Sequence, residues 1–252
     1  MSTATVQPGA QPLVDDFRYP PTNLPEEDGT NLESDWHRLE MTLLIELVGL
    51  LHRGRDDYFV GGNMFIYFDE QQARDRNFRG PDFFFVKEAS LNPPRGAWYV
   101  WGEGGKYPDV IIELTSPTTA YLDHGVKKDT YERVFHTSEY FIYNPAEQKL
   151  LGWRLKNGRY HAIESNEQSW LWSEQFGLWL GLWAGKYQGK EEVYLRFFDK
   201  DGNVIPAALE IADVERRRGE AASQRAEVEK QRADAAEAEL RQLRAVQKPA
   251  QS

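Results

Sequence analysis

The feature that most constrains the fold of this chain is a glutamate inside an otherwise apolar strand. Glu113 stands within the run Val110–Leu114, which reads VIIEL. Continuous apolar runs of this kind are typical of strands covered on both faces. A buried carboxylate without a partner costs on the order of several kcal/mol, or it takes up a proton. The sequence therefore predicts a partner for Glu113 and makes it the first candidate site residue.

A second carboxylate opens another apolar strand. Asp82 directly precedes the run FFFV, so the two carboxylates converge at one sheet edge if the two strands are neighbours. A divalent cation would then hold both groups ionised. That arrangement orients a water molecule and a phosphate oxygen in phosphodiester hydrolysis. The two acids therefore predict a site for Mg²⁺ or Mn²⁺.

Asp109 is the alternative to Asp82, because it also follows a proline at the entrance to a strand. It lies four residues before Glu113 on the same strand, and thus far along the strand from it. The spacing favours a supporting or structural role for Asp109. Pro-Asp pairs are also common in turns, which is the structural alternative for Asp82 itself.

A cation completes the constellation. Asp123, Lys127 and Tyr131 are spaced i, i+4, i+8 in a segment that reads as a helix from about residue 123 to 135, so they share one helix face. If this helix packs beside the Glu113 strand, Lys127 can position the attacking water or offset charge on the phosphate. The structural alternatives are an ordinary helix ion pair for Lys127, a helix cap for Asp123 and packing for Tyr131.

The order of elements predicts a mixed α/β sheet, because a helix, strands, a second helix and further strands follow one another. We predict a flexible lead-in over residues 1–32, one domain over 33–205 and a charged helical tail over 206–252. The tryptophan-rich run near residues 170–183 fits strands better than a surface for stacking bases or sugars. Residues 57–68 are predicted to form one strand with a bend at its two glycines.

The tail is rich in Ala, Glu, Arg and Gln, which favour a long helix. Val214, Ala221, Val228 and Ala235 recur at heptad spacing. Two interpretations stay open, a solvated helix or a coiled coil that binds a second copy, as in a homodimer, or another protein.

Charge and composition restrict the class of function. The net charge of −10 counts against simple electrostatic binding of DNA. The acidic excess lies in residues 1–210, so a nuclease would need local positive charge or a partner that recruits DNA. The absence of cysteine excludes disulfides and thiolate zinc sites. Without a long apolar run or a signal-type N-terminus, we expect a cytoplasmic protein with no membrane span.

The stretches GPDFFFVKE, YPDVIIELTSPTTAYLDHGVKKDTYERV and SEYFIYNP resemble the Uma-type (Uma-two) family of putative restriction endonucleases. That family belongs to the PD-(D/E)xK nuclease superfamily, and the resemblance covers about residues 34–200. It implies a restriction-endonuclease-like α/β fold with Asp82 and Glu113 as metal ligands. The usual lysine of the superfamily would fall at Thr115, so the resemblance implies a displaced lysine at Lys127. It also implies one more acid from the first helix, for which Glu40 is the candidate, with an ordinary surface position as the alternative.

Three functions are consistent with the sequence. The first is a Mg²⁺- or Mn²⁺-dependent endonuclease that cleaves DNA. The second is a non-catalytic interaction protein, in which a nuclease-like domain serves as a scaffold and the C-terminal helix binds the partner. The third is a nuclease that acts on RNA or on structured DNA.

Overall fold

The computed structural model describes residues 34–69, 71, 80–115 and 120–246. The predicted lead-in over residues 1–32 lies outside this range. Two compact units make up the chain. The described part of the first unit contains residues 34–38 and Arg55–Glu164, and the second contains Leu39–Gly54 and the residues from Ser165 onward.

Helix α1 runs over Asp35–Leu51. Ser34 caps it, since the His37 backbone N–H donates to Ser34 Oγ over 3.2 Å. The helix ends shortly before Gly54, whose φ of +84° is the left-handed conformation that glycine adopts freely. Its apolar residues are buried at helical spacing, as the sequence predicted: Leu39, Leu43, Leu44, Leu47 and Val48.

A six-stranded mixed sheet forms the framework of the first unit. Its strands are β1 (Tyr58–Gly61), β3 (Phe83–Lys87), β5 (Val110–Leu114), β6 (Glu139–Asn144), β7 (Lys149–Lys156) and β8 (Arg159–Ala162). They lie in that order across the sheet, and only the pair β5–β6 is parallel. The predicted mixed α/β sheet is therefore confirmed.

The prediction of a single strand over residues 57–68 is wrong. β1 ends at Gly61, and a separate short strand β2 (Ile66–Tyr67) pairs in parallel with β4 (Trp98–Tyr99). The chain turns at Asn63, which has a φ of +48° and whose N–H donates to the Pro81 carbonyl over 3.0 Å. The turn thus holds the backbone just before Asp82.

The helical segment between β5 and β6 is irregular. It consists of α2 (Ala120–Leu122), a π-helical turn (Asp123–Lys127) and α3 (Lys128–Arg133). A helix was predicted at this place, and the structure confirms it. The spacing of Asp123 and Lys127 predicted regular α-helix, whereas the structure has a wider π turn, which is rare in proteins and is often found at functional sites.

The second unit contains a three-stranded antiparallel sheet and the long C-terminal helix. The strands are β9 (Leu171–Ser173), β10 (Leu178–Tyr187) and β11 (Lys190–Phe198), with β10 in the middle. The tryptophan-rich run forms β9 and β10, which confirms the strand prediction. Trp172 and Trp179 contact each other across the two strands, with ring centroids 5.1 Å apart.

Helix α4 spans Ala208–Val246, a length of 39 residues and about 58 Å at the α-helical rise. Two glutamates hold its first turn: the Ala208 N–H donates to Glu46 Oε1 over 2.6 Å, and the Ala207 N–H donates to Glu210 Oε2 over 2.7 Å. From residue 211 to residue 242 every side chain is exposed. Within the described residues, no helix has the length and apolar character needed to cross a membrane.

Candidate functional site

Asp82 and Glu113 converge because β3 and β5 are antiparallel neighbours. Phe83 pairs with Ile112, so Asp82 lies one step further along the same register, opposite Glu113. Asp82 Oδ2 accepts a hydrogen bond from the Leu114 backbone N–H over 2.7 Å. Glu113 is completely buried, and Asp82 is 8% exposed. The two strands are therefore neighbours, which is the condition on which the predicted convergence of the two carboxylates depended.

Lys127 contacts Glu113 of this pair and Asp123 of its own helical segment. Its Nζ lies 2.9 Å from Glu113 Oε2 and 2.8 Å from Asp123 Oδ1. The Tyr131 hydroxyl donates to the other Glu113 oxygen, Oε1, over 2.8 Å. The three helical residues share one face, as their spacing predicted, and that face is turned toward Glu113.

Two structural alternatives from the sequence need correction. Asp123 does not cap the helix, because the helical segment begins at Ala120 and Asp123 lies inside it, buried. Tyr131 is buried in the core as expected. Its hydroxyl also fixes one oxygen of Glu113, so packing alone does not describe it.

Sequence reasoning missed His37. Its Nε2 lies 3.0 Å from Asp82 Oδ1, and both side chains are nearly buried. His37 comes from the first turn of α1, and no spacing in the sequence links it with Asp82. Only the tertiary fold brings the two residues together.

The electrostatics of the site are dominated by burial and by an excess of acid. The pKa of Glu113 is raised to about 8: burial raises it most, Lys127 opposes the rise, and the charges of Asp82 and Asp123 add to it. Burial alone would lower the pKa of Lys127, but the surrounding carboxylates outweigh it and raise that pKa. Three carboxylates therefore surround one lysine.

Asp82 differs from Glu113 in its own environment. Burial would raise its pKa, but the hydrogen bond and charge of His37, together with Lys127 and the Leu114 N–H, bring the pKa below its ordinary value. Asp82 is thus the carboxylate of the pair that stays ionised most easily. The two acids are neighbours with pKa values shifted in opposite directions, a pattern that is enriched at functional sites.

The donor set fits a hard divalent cation. Carboxylate oxygens are the ligands that Mg²⁺ prefers, and each has a second lone pair beyond the one used in the contacts above. Across the described residues, no group of three or more His, Asp or Glu side chains has the arrangement of a metal site. Mg²⁺ commonly binds through only one or two carboxylates and completes its shell with water and phosphate oxygens. Asp82 and Glu113 could hold an ion in this manner.

The remaining candidate acids have other contacts. Asp109 precedes β5, and its Oδ2 accepts from the Lys87 N–H over 2.7 Å, which ties the end of β3 to the start of β5. This contact matches the structural role that its spacing favoured. Glu40 lies in the second unit, where its Oε2 accepts from the Leu195 N–H over 3.1 Å and burial raises its pKa well above the usual value. A role for Glu40 in metal binding stays a prediction.

Residues 30–184 match the sequence model of the Uma2 family, which carries the description "Putative restriction endonuclease". The match covers more than half of the chain and includes Asp82, Glu113 and Lys127. The chain belongs to the Uma2 family. This confirms the resemblance seen in the three sequence stretches.

A structural neighbour of this Uma2 protein is the crystal structure of a putative nuclease belonging to DUF820 from Anabaena variabilis ATCC 29413. The two chains are 11% identical, with a TM-score of 0.43, over 58% of this chain and 76% of the other. Comparison with curated proteins gives no match.

Proposed function

We propose that this Uma2 protein is a metal-dependent endonuclease that hydrolyses phosphodiester bonds in DNA. The observation that supports the proposal is the buried cluster in which Lys127 bridges Glu113 and Asp123 beside Asp82. Such a surplus of buried carboxylates over cations costs folding free energy. A divalent cation bound at this site would offset the surplus negative charge and could also bind a phosphate oxygen.

Asp82 and Glu113 would hold the metal ion. A bound Mg²⁺ or Mn²⁺ polarises a phosphate oxygen and lowers the pKa of a coordinated water. Glu113 shares its oxygens with the Lys127 ammonium and the Tyr131 hydroxyl. These two donors fix the orientation of its carboxylate, as supporting hydrogen bonds do around metal ligands in general.

Lys127 is the residue that acts on the phosphate. Its raised pKa keeps it charged at neutral pH, so its ammonium offsets the negative charge that develops on the phosphate oxygens. Asp123 holds the ammonium in place through the 2.8 Å contact. His37 holds Asp82 in the same way from α1.

The acidic chain affects how DNA cleavage must be assayed. With a net charge of −10, the protein gains little from general attraction to the DNA backbone, and added salt weakens the remainder. Cleavage is therefore best measured at low ionic strength with a high concentration of protein.

The proposal is tested with supercoiled plasmid and Mg²⁺ or Mn²⁺. We expect nicking by the wild-type protein and a loss of about 100-fold or more for Asp82→Asn and for Glu113→Gln. Asp109→Asn is the matched control, because it changes the rival aspartate but keeps an oxygen that can accept from Lys87. Equal rates of cleavage by the wild-type protein and by Glu113→Gln would contradict the proposal.

The non-catalytic scaffold is the second candidate. Two observations favour it: both oxygens of Glu113 already accept hydrogen bonds, and Thr115 stands where the resemblance places the usual lysine. Calorimetric titration with Mg²⁺ and with Mn²⁺ separates the two functions. Neither metal uptake nor cleavage is expected of a scaffold. A parallel assay with single-stranded and duplex RNA tests whether RNA is the preferred polymer.

A further inference from the structure

Helix α4 presents a long surface that nothing in the described chain covers. Beyond its first turn all of its described side chains are exposed, and the valines of its apolar seam remain so: Val214 and Val228 are each 47% exposed. A long helix that is polar on all sides is stabilised by its own ion pairs or by a partner. The sequence of α4 indicates which of these applies.

The middle of α4 contains three approximate copies of a seven-residue repeat. Residues 218–224 read RGEAASQ, residues 225–231 read RAEVEKQ, and residues 232–238 read RADAAEA. An α-helix has 3.6 residues per turn, so a repeat of seven keeps each position on one stripe only if the helix supercoils. A solvated helix has no need of such a repeat.

In a coiled coil, the stripe that faces the partner helix consists of heptad positions a and d. One choice of this stripe, or seam, contains no charged residue in the repeat. It places Ala221, Val228 and Ala235 at heptad position a, and Gln224, Gln231 and Ala238 at position d. A seam through the repeated arginines would bury three cations. A seam through Gly219, Ala226 and Ala233 would bury Glu229. Desolvation of unpaired charges makes both of these unfavourable.

The charges that flank the uncharged seam then separate by sign. Position e holds Arg218, Arg225 and Arg232, and position g holds Glu220, Glu227 and Asp234. In a parallel pair of helices, position g of one helix faces position e of the other five residues later. Glu220 would face Arg225 of the second copy, and Glu227 would face Arg232.

The same pattern opposes an antiparallel pair. There, position e faces e and position g faces g, which sets arginine against arginine and acid against acid. In the described part of the chain, Arg225 and Arg232 form no ion pair with any residue. Their charges are available for a second helix. The one unfavourable parallel contact is Asp234 against Glu239, at the end of the repeat.

We propose that α4 joins two copies of this chain in a parallel, in-register coiled coil over residues 218–238. Alanine, valine and glutamine bury little apolar surface, so the dimer is weak and its population rises with protein concentration. The charged flanks determine the orientation and the choice of a second copy as partner. The proposal does not depend on the nuclease activity.

The first test uses cysteine cross-linking of the full chain, which has no native cysteine. Ala221→Cys places one thiol at position a, where two in-register parallel helices bring equal positions together. Ala226→Cys is the matched control at the outward position f. We expect a disulfide-linked dimer under mild oxidation for Ala221→Cys and at least tenfold less for Ala226→Cys. Equal cross-linking of the two, or none for Ala221→Cys, overturns the proposal.

The second test exchanges the flanking charges. One variant carries Glu220→Arg and Glu227→Arg, and the other carries Arg225→Glu and Arg232→Glu. Each variant alone would set like charges against each other, so both should sediment as monomers at concentrations where the wild-type chain forms dimers. Mixing the two variants should restore the dimer. A wild-type chain that stays monomeric up to several hundred micromolar, or a mixture that does not associate, contradicts the proposal.

Discussion

The two units each contain a buried ionic cluster, and the clusters differ in balance. In the second unit, the fully buried Arg196 donates to both oxygens of Glu210, at 3.2 and 2.8 Å, and to the Ile205 carbonyl at 2.7 Å. Its guanidinium lies 4.6 Å from the centroid of the Trp183 ring. Burial would raise the pKa of Glu210, but the hydrogen bond from Arg196 lowers it below its ordinary value.

The cluster of the first unit leaves its charges in conflict. Lys127 is shared among several carboxylates, and the pKa of Glu113 rises to about 8 although an ammonium lies 2.9 Å away. In the Arg196 cluster, the guanidinium is neutralised by Glu210, which also holds the first turn of α4. In the Glu113 cluster the acidic groups outnumber the cationic ones, and such an excess favours binding of a further cation. Buried charge is common to both clusters, whereas the balance of charge differs between them.

The largest effect that would sharpen this comparison is on activity. Lys127→Met removes the ammonium from the unbalanced cluster, and we expect cleavage to fall by about 100- to 1000-fold. The matched control is Lys128→Met, because Lys128 is the adjacent lysine and lies over the Trp153 ring rather than at Glu113. Plasmid nicking rates measure both. A Lys128→Met variant that loses as much activity as Lys127→Met would contradict the assignment.

The next effect is on stability and belongs to the balanced cluster. Arg196→Met removes the cationic partner of Glu210 and the donor to the Ile205 carbonyl. The Glu210 side chain is 30% exposed, so water reduces the penalty, and we expect a loss of about 2 kcal/mol in the free energy of unfolding. Urea denaturation followed by circular dichroism measures this loss. A loss below about 1 kcal/mol would show that Arg196 does not stabilise the second unit in the way its contacts indicate.

A pH-dependent effect separates the two clusters further. Unfolded Glu113 releases its proton near pH 4.5, and in the folded, metal-free chain the pKa is about 8. Between these values the folded chain binds more protons than the unfolded chain, so its stability falls as pH rises. Glu113→Gln removes this dependence. We therefore expect the variant to gain stability relative to wild type from pH 5 to pH 8, by about 1 kcal/mol or more.

Thermal unfolding of both proteins in chelator measures that difference at each pH. A difference that stays constant from pH 5 to pH 8 would mean that Glu113 does not titrate there. Saturating Mg²⁺ should diminish the pH dependence in the wild-type protein, since a bound cation favours the ionised carboxylate.

The smallest expected effect is the change in stability on removal of Arg216, an arginine whose ion pairs are exposed rather than buried. Arg216 forms ion pairs with Asp213 and Glu220 on α4, at 3.1 Å each, and all three side chains are exposed to more than half. Exposed pairs of this kind contribute little because water screens them. Arg216→Ala should leave the thermal midpoint unchanged within error. A clear shift would show that the exposed pairs of α4 matter more than their solvation implies.

Three residues of the candidate site, Asp82, Glu113 and Lys127, could be predicted because each lies in a recognisable local sequence pattern. An acid inside an apolar strand marked Glu113, a proline and an apolar run marked Asp82, and helical spacing placed Lys127 beside Asp123. His37 left no such signal, since its contact with Asp82 depends on the tertiary fold. The break between β1 and β2 was also missed, because the apolar pattern continues through Gly61 while the backbone turns at Asn63.

In the π-helical turn, the stability of the helix and the placement of its side chains favour different geometries of the same five residues. Its wider turn is less favourable than regular α-helix, yet it contains both Asp123 and Lys127 and leads directly into the turn that carries Tyr131. If the same residues adopted regular α-helical geometry, each would advance by about 100° around the axis, more than in the wider π turn, and the side chains that follow would rotate relative to those that precede. The protein would then gain a better helix and lose the alignment of its lysine with Glu113. The irregular turn thus places Lys127 against Glu113 at a cost in helix stability.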